Sequence, residues 1–132
     1  MARVEVNQSG RLRGRPRKGR DMGKMKLMTK AILARFAKVG RQEHVKDKLI
    51  IAKFFNPTGA GTWYATEYEP ETRMFFGWVS LFGDHNDEWG YFSLDELKQF
   101  RGHFGLGIER DLYFGEKLMS QVVPEAIAAI TG

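Results

Sequence analysis

The sequence predicts an α+β fold: a small antiparallel sheet of four to five strands with two to three packed helices, preceded by a disordered basic N-terminal arm. Three observations predict it. Runs rich in β-branched and aromatic residues recur from Leu49 onward, and tight Gly, Pro and Asp breaks separate them. Two other stretches show helical spacing with capping residues at their ends. A length of 132 residues leaves room for one core and a tail. The expected division is a flexible arm over residues 1–25 and a single domain over residues 26–132.

Between Asn7 and Lys24 the only large apolar residues are Leu12 and Met22, too few to offset the entropy of ordering the chain. Gly10, Gly14, Gly19, Gly23 and Pro16 argue against helix or strand there. Thr29 then reads as the N-cap of a helix running to about Val39. Met28 and Leu33 occupy staple positions, and Ile32, Leu33, Phe36 and Val39 form the apolar stripe. Gly40 supplies the stop. Leu49–Phe55 reads as a first strand, and residues 56–61 as a turn. Thr62–Tyr68 and Met74–Phe82 read as the next strands, with Trp89–Phe92 a short fourth. Ser93 and Glu96 form a capping box for a second helix, with Phe92 and Leu97 as its staple and Gly102 as its stop after Arg101. Ile108–Phe114 offers a further short strand, and Pro124 opens a C-terminal helix. Strands that follow one another through tight breaks favour antiparallel pairing.

Charge is divided unevenly. Residues 1–26 hold nine basic groups against Glu5 and Asp21, a net +7, whereas the remaining 106 residues net −2. The basic groups are Arg3, Arg11, Arg13, Arg15, Arg17, Lys18, Arg20, Lys24 and Lys26. Such a partition points to a polyanion-binding arm on a mildly acidic body. Gly14-Arg15-Pro16, flanked by Arg11, Arg13, Arg17, Lys18 and Arg20, resembles the core of an AT-hook. Pro16 keeps the chain extended, and Gly14 has no side chain to strike the walls of a narrow groove. Arg15 can meet the acceptors of A·T pairs, where the minor-groove potential is most negative. The outer cations, with Lys24 and Lys26, would displace counterions at phosphates. No aromatic ring lies in residues 1–26, which favours duplex DNA over RNA, although RNA stays possible. A solvated tail is the plain alternative.

Other chemistries are bounded by what the chain contains. It has no cysteine, so disulfides and thiolate sites are excluded. No signal-like apolar stretch opens the chain and no apolar run spans a bilayer, so a cytoplasmic protein without membrane contact is expected. Residues 84–88 (Asp-His-Asn-Asp-Glu) form the one dense cluster of cation ligands, but without calcium-loop spacing. A metal-dependent nuclease would need Asp84, Asp87, Glu67 and Glu109 brought together. No nucleophile elbow or phosphate-cradling glycine loop occurs, so neither a cofactor nor catalytic residues are expected. Seventeen aromatic residues serve a core first, yet Trp78, Trp89 and Tyr91 are candidates for a partner surface, Trp78 foremost. Phe75, Gly77, Val79 and Leu81 share one face of the third strand, with Met74, Phe76, Trp78 and Phe82 on the other, so both faces are apolar.

Six ordered blocks carry a family resemblance: Lys26-Leu27-Met28-Thr29-Lys30, Ala52-Lys53-Phe54-Phe55, Trp63-Tyr64-Ala65-Thr66-Glu67, Phe75-Phe76-Gly77, Gly90-Tyr91-Phe92-Ser93-Leu94 and residues 108–114. Together they resemble the bacterial domain-of-unknown-function family 2958, from about Lys26 to Phe114. The resemblance implies cargo of plasmids, phages and integrative elements, often near antirestriction-type genes, and it implies no activity. The expected function is therefore a nucleic-acid-associated accessory protein of a mobile element. Its arm would bind DNA or RNA backbone and its domain a protein partner. An inhibitor of a host defence enzyme, using Glu67, Glu69, Glu71, Asp84, Asp87 and Glu88 as a decoy surface, is the alternative, and a metal-dependent nuclease is the third reading.

Overall fold

The Thr29 hydroxyl accepts a hydrogen bond from the Ile32 N–H at 3.1 Å, and helix α1 (Lys30–Val39) starts there. Gly40 ends it with φ of 69°, a conformation glycine adopts at little cost. Of the apolar stripe, Phe36 alone is fully buried, while Leu33 faces solvent. The structure is a computed structural model and describes residues 26–82 and 86–131.

The run Leu49–Phe55 is not one strand. It divides at Ile51 into β1 (Leu49–Ile50) and β2 (Ala52–Phe55), which join different sheets. Ile50 enters one core, whereas Ile51 and its neighbour Ala52 enter the other together, so the strict alternation of a single strand is broken here. Strands β3 (Thr62–Glu69), β4 (Met74–Ser80) and β5 (Glu88–Ser93) follow the expected order. With β2 and β6 (Glu109–Arg110) they form a five-stranded antiparallel sheet in the order β5-β4-β3-β2-β6. β1 pairs instead with β7 (Lys117–Leu118), a strand that sequence reading does not anticipate. The fold is α+β, as expected.

Helix α2 (Leu94–Gln99) opens on Ser93, whose hydroxyl accepts from the Glu96 N–H at 3.1 Å. It closes at Phe100 and not at Gly102. Phe100 turns extended, and Gly102 sits so close to Thr58 that a Cβ would stand 2.6 Å from its hydroxyl oxygen. That glycine is required for close approach, not as a helix stop. The stretch after Arg110 leaves the sheet because Asp111 makes a turn: its carboxylate accepts from the Tyr113 N–H and its carbonyl from the Phe114 N–H. Two further helices, α3 (Met119–Val122) and α4 (Pro124–Thr131), bring the total to four α-helices among the described residues, one more than the upper expectation.

Both faces of the sheet are covered, by different helices. On one face Ala52, Phe54, Ala65, Phe75 and Phe92 pack with Phe36 of α1 and with Leu94 and Leu97 of α2. Phe75 is the hub, its ring 4.8 to 5.7 Å from those of Phe36, Phe54, Tyr68 and Phe92. On the other face Trp78 packs with Ile50, Phe114, Met119, Val123 and Ala126. Helices α3 and α4 cover only part of this second face, and the uncovered part positions the site described next.

Candidate functional site

The proposed nucleic-acid ligands Arg11, Arg13, Gly14, Arg15, Pro16, Arg17, Lys18, Arg20 and Lys24 lie outside the described residues. Lys26 is described and exposed, directly before Leu27, which plugs into the core at 3% exposure. Leu27 therefore fixes Lys26 just ahead of α1.

Trp78, the foremost candidate for a partner surface among aromatics that serve a core first, is a core residue. It is 3% exposed, because α4 closes over it and Trp89 meets it edge-on at 5.5 Å. Its Nε1–H has no acceptor among the described residues. Trp89 is half-buried and donates its Nε1–H to the Ala126 carbonyl at 3.0 Å, which ties α4 to the edge strand. Tyr91 is the free one, at 73% exposure. Phe76 links the group, stacked on Trp89 at 5.7 Å and edge-on to Tyr91 at 5.0 Å.

A β-bulge decides what faces these rings. The β3–β4 register runs Ala65 opposite Gly77, then Glu67 opposite Phe76, which leaves Thr66 as the extra residue. Gly77 is forced by this geometry, since a Cβ there would lie 1.8 Å from the Tyr64 carbonyl oxygen. Beyond the bulge, Glu67, Phe76 and Tyr91 form one cross-strand row, and directly opposed residues share a face. Gln42 holds the bulge from outside. Its side-chain amide donates to the carbonyls of Thr66 (2.8 Å) and Leu49 (2.9 Å), and its oxygen accepts from the Leu49 N–H at 2.7 Å. The Gln42 backbone N–H in turn donates to the Glu67 carboxylate at 2.7 Å. Lys48, itself buried, donates to the carbonyls of Gln42 and Val45 and lies over the Trp89 ring. Sequence reading assigns neither residue a role, since Gln42 acts on Thr66, 24 residues away, and Lys48 packs over Trp89.

Pairing of β3 with β2 stops at Ala65. Past that point a cleft of about 780 Å³ runs along β3, between the C-terminal end of α1 and the uncovered face of β4 and β5. Its walls combine Tyr68, Phe76 and Tyr91 with the carboxylates of Glu43, Glu67 and Glu69, and Arg41 is the one cation among its lining residues. Burial raises the Tyr68 hydroxyl above its ordinary pKa; Arg73 opposes this, while Asp95 and Glu69 add to it. Tyr68 therefore stays a neutral donor at physiological pH. The arrangement suits a cation: ring faces attract positive charge, and carboxylates at the rim reinforce them.

The carboxylates weighed for a nuclease do not converge. Glu109 pairs with Phe55, which pairs with Thr62, so it lies about 17 Å along the sheet from Glu67 at the usual rise per residue. Asp87 adjoins β5, the opposite edge from β6. Asp84 lies outside the described residues. Among the described residues no group of three or more His, Asp or Glu side chains could hold a metal ion. Asp111 instead forms an ion pair with Lys53 at 3.5 Å.

An apolar groove of about 340 Å³ lies at the opposite end of the sheet, beside Phe82 and Phe100. Phe104 nearby is 95% exposed and holds a φ of 61°, uncommon for a residue with a side chain.

No described helix is long and apolar enough to cross a membrane. No curated protein and no solved structure matches the chain. A family model described as "Protein of unknown function (DUF2958)" matches residues 26–130, past the Phe114 limit of the sequence blocks and as far as α4. The two cores, the bulge and the cleft all lie inside that match, and the chain belongs to this family.

Proposed function

We propose that this chain is a nucleic-acid-associated accessory protein of a mobile genetic element, gripping DNA backbone through its basic arm and a protein partner through its globular body. One observation carries the reading: +7 of charge is concentrated in residues 1–26, while the rest of the chain nets −2. A body whose cleft beside α1 is lined with carboxylates repels a polyanion, so the grip falls to the arm. The DUF2958 resemblance supports the mobile-element setting. The Gly14-Arg15-Pro16 core supports a preference for A·T-rich minor groove.

The test is binding of the full chain to A·T-rich duplex, G·C-rich duplex and single strand across a salt series. Replacing Arg11, Arg13, Arg15 and Arg17 together by Ala should flatten the slope of log K against log salt by about 3, since Arg15 meets base acceptors and the other three each lose a phosphate contact that contributes about 0.9. A slope and affinity unchanged by the four substitutions end the proposal.

A further inference from the structure

Among the described residues nothing fills the acidic, ring-lined cleft beside α1. We infer that it receives cationic side chains from the chain's own basic segment, residues 11–20, and holds that segment against the domain until a polyanion competes for it.

Charge and ring chemistry favour this occupant. Arg11, Arg13, Arg15, Arg17, Lys18 and Arg20 place six cations in ten residues. The cleft offers Glu43, Glu67 and Glu69 against one Arg41. A guanidinium can lie on the face of Tyr91 or Phe76 while a carboxylate accepts its N–H groups. Glu67 already accepts from the Gln42 N–H, Glu69 from the Glu71 N–H, and Glu43 pairs with Arg41 at 3.6 Å, but an apolar peptide would strip water from their remaining lone pairs and a nucleic acid would be repelled by them.

Reach also fits. Lys26 precedes α1, whose ten residues span about 15 Å, and the cleft is lined by Phe36, Ala37 and Gly40 at the far end of that helix. A chain covers at most about 3.5 Å per residue, so the six steps from Lys26 to Arg20 only just arrive. Lys18 through Arg11 arrive with slack. The tether makes the contact intramolecular, at an effective concentration in the millimolar range, so a weak site is enough. Release of the segment by DNA follows from competition for the same cations, and only that step depends on the function proposed above.

The absence of cysteine allows a single spin label at Ser9→Cys on the full chain. Amide signals of Glu43, Tyr68 and Tyr91 should broaden, while those of Tyr113 and Ala128, outside the cleft, should not. Replacing Glu43→Gln, Glu69→Gln and Tyr91→Ala together should lower the docked population by about tenfold. All three positions are exposed, so the fold is not at stake. Uniform broadening, broadening centred elsewhere, or broadening unchanged in the triple variant overturns the inference. So does transfer of the effect to an unlabelled second copy in a mixed sample, which would assign the segment to a partner chain. Added A·T-rich duplex should free the label. A label that stays docked while duplex binds refutes competition, whereas docking without any duplex binding refutes the proposed function and leaves the cleft assignment standing.

Discussion

Gln42→Ala should be among the most damaging substitutions of a polar side chain in this protein. The Gln42 side chain makes three hydrogen bonds with backbone groups, at 2.7, 2.8 and 2.9 Å, and is 4% exposed. Alanine leaves the Leu49 N–H, the Leu49 carbonyl and the Thr66 carbonyl without those partners. Each stranded group costs about 1 kcal/mol at the low end, so the loss is about 3 kcal/mol. For a domain of this size that corresponds to a fall in Tm of about 12–24 °C. Urea unfolding followed by tryptophan fluorescence measures it, with Trp89 and Trp78 reporting on the second core. The Gln42 backbone N–H survives the substitution, so Glu67 keeps that donor unless the loop itself moves. A loss below about 1 kcal/mol would mean that water replaces the bonds, and the account of Gln42 as holder of the bulge would fall.

Gly77→Ala should prevent folding or cost more than about 3 kcal/mol, because the nearest obstacles to the new Cβ are backbone atoms of Tyr64 and Ala65; native-like far-UV dichroism and an unchanged urea midpoint would contradict it. Phe104→Gly should stabilise by about 0.5–1 kcal/mol, since relief of a left-handed backbone outweighs a ring that is 95% exposed; a lower Tm would show the ring to be packed. Thr29→Ala should cost about 1 kcal/mol through loss of the α1 cap, measured by the same unfolding assay, with no change taken as refutation. The paired hydrogen bonds from Arg35 at 2.6 and 2.7 Å hold the Glu116 carboxyl below its ordinary range. A depressed folded pKa gives stability that is present above about pH 4.5 and is lost as pH falls through the folded value. Arg35→Gln should therefore lower stability at pH 6 and leave the two proteins converging toward pH 3; an equal difference at both pH values would refute the pairing.

The arm and the cleft act as opposite ends of one electrostatic device in this reading. On the two proposals above, function would depend on which anion wins the arm: Glu43, Glu67 and Glu69, or a phosphate backbone. Salt would screen both contacts, but counterion release makes the phosphate contact the steeper of the two, so low ionic strength would favour the duplex.

Local chemistry was legible in the sequence wherever the deciding partners lie within a few residues. Thr29, Gly40, Ser93 and Pro124 mark helix ends as read, because a cap satisfies backbone groups of its own first or last turn. The alternation of β4 also reads correctly, since period two is a property of one strand. The charge division between arm and body needs no structure at all. Only the tertiary structure decided that β1 leaves the main sheet, that Trp78 is covered and Tyr91 bare, and that Glu67 faces the rings. Each of those outcomes depends on a partner far along the chain: β7 for β1, α4 for Trp78, Gln42 and the bulge for Glu67. Contacts of that kind are selected by packing between distant segments, and no window of neighbouring residues contains them.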